Sequence, residues 1–156
     1  MRSAAHCREF LRAPPLSLHP PRMSAAPEIK SFLAGKVFAV AGASSDRAKY
    51  GNKVLRSYQQ AGRTVYGIHP RETRVEGAQT FARLADLPEK IDGLSIVTPP
   101  SVTEKLVEEA ASLGIQRLWM QPGAESPAAL ARARELGLDV IAGGPCVLVA
   151  LHFQER

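Results

Sequence analysis

A continuous apolar run at residues 37–41 leads directly into a loop of small and hydroxyl-bearing residues, and this succession constrains the fold most. Such a run is typical of a strand that is buried on both faces of a parallel sheet. Beyond the loop, Val54, Leu55 and Tyr58 recur at helical spacing within residues 51–61. Strand, small-residue loop and helix form the unit with which α/β proteins present backbone N–H groups to a phosphate.

The rest of the chain repeats this alternation. Further strands are predicted at residues 64–68, 75–81 (a short edge strand), 94–98, 117–121 and 139–142. Helical segments are predicted at residues 28–33, near 84–87, after Ser101 and after Ser126. Strands that alternate with helices favour right-handed crossovers and a mostly parallel sheet. The pattern and the length of 156 residues therefore predict a single α/β domain with a Rossmann-like, doubly wound sheet.

Three residues carry specific local predictions. Ser101 is a candidate N-cap, and Glu104 would complete a capping box with it. Ser126 precedes a proline at the first helical position, which is a second candidate start. Trp119 lies within a predicted strand, so we expect it in the core.

The charge distribution argues against a polyanionic partner. The formal charge is +5, but four arginines (2, 8, 12 and 22) lie in the first 22 residues. Aromatic residues make up only 6% of the chain, which gives little surface for stacking bases. No apolar run approaches the length that crosses a membrane. We therefore expect a small anionic ligand, no nucleic acid and no membrane, and leave a homo-oligomer open.

The N-terminal residues differ from the rest. Residues 1–22 are rich in arginine and proline and carry one acid, Glu9, so they resemble a transit peptide. Alternatively, Met23 is the true start. We predict an extension over residues 1–27, disordered or wrongly assigned, and a ligand-binding domain over 28–156.

The two cysteines, Cys7 and Cys146, cannot build a disulfide framework, and no C-x-x-C motif suggests a metal site. We therefore predict a reduced, cytoplasmic protein without a metal. Cys146 follows Gly143-Gly144-Pro145, and no acid–base partner lies near it in sequence. A buried structural role is favoured over a nucleophilic one.

In a doubly wound sheet, ligands bind outside the carboxyl ends of the strands. The loop after the first strand combines glycines, serine hydroxyls and a lysine, which favours a phosphate site over a plain turn. Neither G-x-G-x-x-G nor G-x-x-x-x-G-K-[ST] occurs, so an ordinary NAD or ATP site is not indicated. The candidate binding residues in this loop are Gly42, Ala43, Ser44, Ser45, Lys49, Tyr50, Gly51 and Asn52.

His69, Pro70 and Arg71 follow the second strand, where an NAD enzyme usually carries an acid for the ribose 2′-hydroxyl. A cation there suits a phosphate on the ribose, as in NADP or coenzyme A (CoA). Arg71 as a solvated loop charge is the alternative. We therefore keep a small NADP-dependent oxidoreductase as the second functional hypothesis.

The later strand ends add four more candidates. Thr98, Pro99 and Pro100 follow the third long strand, although Pro-Pro-Ser is also an efficient signal to stop a strand and begin a helix. Gln121 follows the next strand and could meet a ligand.

Five segments together resemble the stand-alone CoA-binding domain proteins, which are similar to the N-terminal domain of the succinyl-CoA synthetase alpha subunit. They are VAGASSDRAKYGN (40–52), VYGIHPRE (65–72) with 75–77, IDGLSIVTPP (91–100), LWMQPGAES (118–126) and ARELGLDVI (133–141). The resemblance spans roughly residues 34–146.

The resemblance implies a nucleotide-binding protein that binds CoA or an acyl-CoA without catalysis of its own. By motif, Gly42, Ser44, Ser45, Lys49 and Tyr50 would surround the phosphates. Arg71 would meet the nucleotide end, and Thr98 and Pro99 would line the pantetheine. The glycine-rich stretch before Cys146 departs from the family's usual ending. A subunit that needs a partner chain for activity remains a further alternative.

Overall fold

The computed structural model describes residues 25–156, so the predicted N-terminal extension lies outside it except for residues 25–27, which begin the first helix. The helices are α1 (Ala25–Leu33), α2 (Tyr50–Gln60), α3 (Pro100–Ser112), α4 (Pro127–Glu135) and α5 (Val147–Ala150), with a 3₁₀ turn at Leu84–Asp86. The strands are β1 (Val37–Ala41), β2 (Thr64–Ile68), β3 (Arg74–Val75), β4 (Ala78–Phe81), β5 (Gly93–Ile96), β6 (Arg117–Met120) and β7 (Asp139–Ile141).

The seven strands form one sheet in the order β3-β4-β2-β1-β5-β6-β7. All neighbours are parallel except β3 and β4. β1 lies between β2 and β5, where Ala39 pairs with Tyr66 on one side and Leu94 on the other. The single α/β domain with a mostly parallel, doubly wound sheet is thus confirmed.

Alternating residues of β1 serve two separate cores. Phe38 and Val40 pack toward the face that α1, α2 and α5 cover, whereas Ala39 and Ala41 pack toward α3 and α4. Trp119 is fully buried in the first of these cores, as predicted. Burial on both faces explains why β1 reads as a continuous apolar run instead of an alternating one.

The chain leaves β1 toward β2 and later returns on the other side of β1 to form β5. The loops that follow β1 and β5 therefore diverge to opposite faces of the sheet, which opens a crevice at their carboxyl ends. This topological switch lies at the start of the predicted phosphate loop.

The predicted edge strand at 75–81 is in fact a hairpin, β3 and β4, with Val75 paired to Ala78. Glu76 and Gly77 connect them with φ angles of 48° and 81°. Two successive residues at positive φ are typical of the tight turn that joins antiparallel strands. The sequence pattern missed it because Glu76 is not a residue that usually adopts this conformation.

The two helix-start predictions have opposite outcomes. The Ser126 prediction is confirmed, because its Oγ accepts a hydrogen bond from the Ala129 N–H at 3.0 Å. The Ser101 prediction is wrong: α3 begins at Pro100, Pro99 is its N-cap, and no side chain caps the helix. A proline at the first helical position needs no acceptor for its nitrogen, so the helix starts one residue earlier than predicted.

Within residues 25–156, no helix combines the length and the apolar character needed to cross a bilayer.

Candidate functional site

The predicted binding residues gather at one edge of the sheet, because the carboxyl ends of parallel strands lie together. Residues 42–49 follow β1, residues 69–73 follow β2, and residues 97–99 follow β5. These three connections begin at neighbouring strands in the middle of the sheet.

Two glycines allow close backbone approach at the end of β1. Gly42 has a φ of +94°, and a Cβ there would lie 2.9 Å from the carbonyl oxygen of Val97, the residue after β5. A Cβ on Gly51 would overlap the carbonyl oxygen of Gly42. Glycine at position 42 therefore lets the segments after β1 and β5 approach each other, and glycine at position 51 brings the first turn of α2 against the end of β1.

The loop between them is folded on itself by side chains. Ser44 Oγ accepts a hydrogen bond from the Asp46 N–H at 3.1 Å, and Asp46 Oδ1 accepts one from the Ala48 N–H at 3.0 Å. Ala43 and Ser44 are buried, whereas Ser45 is exposed. Ser44 therefore shapes the loop, while Ser45 lies on its open side.

Asn52 holds the loop from below. This side chain is fully buried, and its Nδ2 donates to the Ser44 carbonyl at 2.8 Å and to Glu76 Oε2 at 3.1 Å. Its Oδ1 accepts from Arg56 Nε at 2.7 Å, and Arg56 also donates to Glu155 Oε1 at 3.0 Å. Both polar atoms of the Asn52 amide are thus hydrogen-bonded within the protein, and one of the partners is the loop backbone itself. Asn52 therefore positions the predicted binding loop.

The start of α2 has the properties of an anion site. Lys49 is the N-cap of α2, and no side chain caps the helix. The first N–H groups of a helix have no acceptors within it, and they carry the positive end of the helix dipole. Lys49 is exposed and adds its ammonium group to this positive region.

A carboxylate of the protein itself is bound at this loop. Glu72, from the turn after β2, accepts hydrogen bonds from the Ser45 N–H at 2.9 Å and from Ser45 Oγ at 2.8 Å. These bonds, with the nearby positive charge of Lys49, lower the pKa of Glu72. We call the Ser45 N–H, the Ser45 Oγ and the Lys49 ammonium the Ser45 anion site.

The turn after β2 is organised by His69. Its Nδ1 accepts hydrogen bonds from the N–H groups of Arg71 and Glu72, each at 3.1 Å. This leaves Nε2 as the ring nitrogen able to carry a proton in the neutral form. Pro70 and Arg71 are exposed, so the guanidinium of Arg71 is accessible to a ligand.

The connection after β5 is closed by a pair of threonines. Thr98 Oγ1 lies 2.9 Å from the Oγ1 of buried Thr103. The Pro99 carbonyl accepts the N–H of Thr103 at 3.0 Å, and the side chains of Pro99 and Pro100 are exposed. This edge of the crevice offers apolar ring surface and little free hydrogen-bonding capacity.

Gln121 lies inside the protein at the end of β6. It is fully buried, and its Oε1 accepts the Val147 N–H at 2.9 Å. Its Nε2 has no hydrogen-bond partner among the described residues. The side chain thus fixes the start of α5 against the sheet, instead of lying open to a ligand.

Tyr50 and Cys146 contact each other through the tyrosine hydroxyl and Sγ. Burial, and then the contact with Cys146, raise the pKa of Tyr50 above its usual range. Cys146 is half-buried, so the predicted burial is only partial, and its structural role stays a prediction. No group of three or more His, Cys, Asp or Glu side chains within residues 25–156 could hold a metal ion.

A cavity of about 320 Å³ lies at the opposite edge of the sheet, between α1 and the ends of β6 and β7. Arg117 and Asp139 line it, and they are the first residues of their strands. Such a position is the amino edge, which doubly wound sheets do not use for their ligands. The carboxyl edge, with its convergent donors, is the better candidate site.

Sequence reasoning missed Glu72, Arg56 and the segment after α5. Glu72 ends one of the segments that resemble the family, but an acid beside a phosphate loop runs against the expectation that positive charge surrounds such a loop. Arg56 has a side chain that is only 5% exposed, although it lies among the polar residues of α2. The final residues pack against α2, where Gln60 Nε2 donates to the Gln154 carbonyl at 2.8 Å and the Gln154 N–H donates to Gln60 Oε1 at 3.0 Å.

Comparison with known proteins gives relatives that share parts of this chain. An ADP-forming acetate–CoA ligase I of Archaeoglobus fulgidus is 31% identical over 81 residues, which cover 52% of this chain and 12% of that protein. The alpha subunit of an ADP-forming acetate–CoA ligase II of Pyrococcus furiosus is 28% identical over 86 residues, which cover 54% and 19%. The match thus spans less than a fifth of either relative.

A solved structure matches over a larger share. A conserved hypothetical protein from Pyrococcus furiosus is 32% identical, with a TM-score of 0.70, and the match covers 74% of this chain and 98% of that one. The model of a CoA-binding domain family matches residues 36–152, which contain the seven strands described above and the candidate site. The chain therefore belongs to the CoA-binding domain family.

Proposed function

We propose that this protein binds CoA or an acyl-CoA across the carboxyl ends of its central strands, with ligand phosphates at the Ser45 anion site. One observation carries the location: the loop already binds an anionic group, the Glu72 carboxylate, through the Ser45 N–H and Oγ. The uncapped start of α2 and the family membership support the same location.

The rest of the ligand is assigned by chemistry. Arg71 is exposed at the end of β2, and we propose that it meets the phosphate on the ribose. The exposed proline rings after β5 would face the uncharged pantetheine arm. In this proposal Gly42, Gly51 and Asn52 hold the loop. The ligand touches the exposed residues named above: Ser45, Lys49, Arg71 and the prolines after β5.

We further propose that the protein has no catalytic step of its own and works as a cytoplasmic binding module. Support comes from the candidate site, in which each assigned residue binds or positions and none forms a nucleophile–base pair. The activity of the acetate–CoA ligases is not carried over, because the match covers only 12% and 19% of those proteins.

Titration calorimetry with CoA, dephospho-CoA and NADPH tests the assignment. We expect CoA to bind, and to bind about tenfold or more tightly than dephospho-CoA, because a charge-assisted hydrogen bond contributes about 1.5–3 kcal/mol. Tighter binding of NADPH than of CoA would favour the oxidoreductase hypothesis instead. No heat and no change in melting temperature with any of the three would refute the proposed function.

A further inference from the structure

The Glu72 carboxylate occupies the donors that a ligand phosphate would need. Its two oxygens accept three hydrogen bonds from Ser45: two from the N–H, at 2.9 and 3.2 Å, and one from Oγ at 2.8 Å. The two residues belong to different connections, one after β1 and one after β2. The contact therefore crosses the mouth of the candidate site.

The turn that carries Glu72 is held in place independently. His69 Nδ1 accepts the N–H of Glu72 itself at 3.1 Å and that of Arg71 at 3.1 Å. The backbone of the turn is thus fixed at His69, while the Glu72 side chain reaches across to Ser45. Only side-chain rotation, and no refolding of the turn, is needed to withdraw the carboxylate.

We propose that Glu72 is an internal competitor for the Ser45 anion site, which a ligand phosphate must displace in order to bind. This inference rests on the proposed function for the identity of the ligand, and it goes beyond it by assigning Glu72 a role in setting affinity. Since a phosphate and a carboxylate cannot share the same N–H and hydroxyl donors, binding of one excludes the other. Glu72 then lowers the affinity for each phosphate ligand that needs these donors, and by the same factor, because the ligand binds only the fraction of molecules in which the carboxylate has withdrawn.

Displacement also changes the proton affinity of Glu72. In the free protein, the Ser45 hydrogen bonds lower the pKa of this carboxyl, and the charge of Lys49 acts in the same direction. A bound phosphate would remove those hydrogen bonds and place negative charge nearby, so the pKa would rise. Ligand binding is then coupled to proton uptake by Glu72, and affinity increases as the pH falls between the two pKa values.

The test compares the wild type with Glu72→Gln and with Glu135→Gln. Glu135 is an exposed acid at the end of α4, which runs back to the amino edge of the sheet, so its replacement matches the charge change away from the site. We expect Glu72→Gln to bind CoA about 3- to 30-fold more tightly than wild type, since hydrogen bonds to an exposed charged group are weakened by solvent. Glu135→Gln should bind as the wild type does.

A carboxyl NMR titration of Glu72 tests the contact with Ser45, and its measurements on the free protein do not depend on CoA binding. We expect a pKa below the ordinary glutamate range in the free protein, a higher value in Ser45→Ala, and a higher value again in wild type saturated with CoA. An ordinary pKa in the free protein would overturn the inference, whatever the ligand.

The two proposals fail in different ways. If CoA binds and Glu72→Gln binds it equally or more weakly, Glu72 is not a competitor but the proposed function stands. A different outcome is that neither the wild type nor Glu72→Gln binds CoA, while the Glu72 pKa is low and rises in Ser45→Ala. The proposed ligand is then wrong, and competition is tested with inorganic pyrophosphate, which Glu72→Gln should bind more tightly than the wild type. Equal or weaker pyrophosphate binding by that variant would refute competition.

Discussion

Replacing Asn52 by alanine should disrupt the candidate site from within, because this residue connects the loop to the rest of the protein. The buried amide donates to the Ser44 carbonyl at 2.8 Å and to Glu76 Oε2 at 3.1 Å, and it accepts from Arg56 Nε at 2.7 Å. Alanine removes all three and leaves their partners beneath the loop. Loop order and global stability should therefore fall together.

The magnitude follows from the partners. A neutral buried hydrogen bond contributes about 1 kcal/mol, and one to a charged group about 1.5–3 kcal/mol. The sum is reduced because the Glu76 side chain is 23% exposed and can regain water, and because Arg56 keeps its ion pair with Glu155. We therefore expect Asn52→Ala to lower the free energy of unfolding by about 2–4 kcal/mol.

Urea unfolding, followed by circular dichroism, measures this loss. Gln59→Ala is the matched control, since Gln59 carries the same amide on the same helix, is exposed, and donates to the Glu76 carbonyl at 2.9 Å. The control should lose about 0.5 kcal/mol or less. Alanine is the better helix former at both positions, so helix propensity works against the expected effect.

Two results would refute this reasoning. A loss below about 1 kcal/mol, comparable with the control, would mean that the buried amide does not hold the loop. If the free energy of unfolding falls by the expected amount but the folded variant binds CoA as tightly as the wild type, the Ser44 segment does not shape the ligand site.

Two further predictions concern ligand charge and alkaline stability. Lys49→Ala and Arg71→Ala should each weaken CoA binding by about 1–3 kcal/mol in calorimetry, with Arg134→Ala at the opposite edge as the control; unchanged affinity in both would mean that the ligand lies elsewhere. Tyr58 is fully buried, and burial raises its pKa above the unfolded value of about 10, so the folded state resists ionisation and stability falls as the pH rises beyond that value. Urea unfolding at about pH 8 and about pH 11 should show a smaller alkaline loss in Tyr58→Phe than in wild type, and an equal loss would contradict the assignment.

Much of the fold could be predicted because its signals are local. The strands at 37–41 and 64–68 were predicted with the observed bounds, since each is an apolar run that ends at glycine, proline or polar residues. The Ser126 cap was readable for the same reason, as it depends on residues within one helical turn. The Ser101 prediction failed on equally local grounds, because a proline already supplied the helix start.

The candidate site was predictable only in outline. Strand ends located the loop after β1 and the turn after β2, and the combination of motifs indicated the family that residues 36–152 match. The individual roles were less accessible. Gln121 reads as a strand-end residue open to a ligand, yet its side chain is buried against Val147.

The sequence by itself determined the alternation of strands and helices, and therefore the fold class and the edge of the sheet where a ligand is expected. Only the tertiary structure decided which polar groups meet there. Glu72 reaches Ser45 across 27 positions of sequence, and Arg56 reaches Glu155 across 99. The physical reason is that hydrophobic periodicity depends only on residues within one helix or strand, so it can be read from the sequence. A hydrogen-bond partner from another segment depends on the lateral order of the strands, which here places the connections after β1 and β2 side by side.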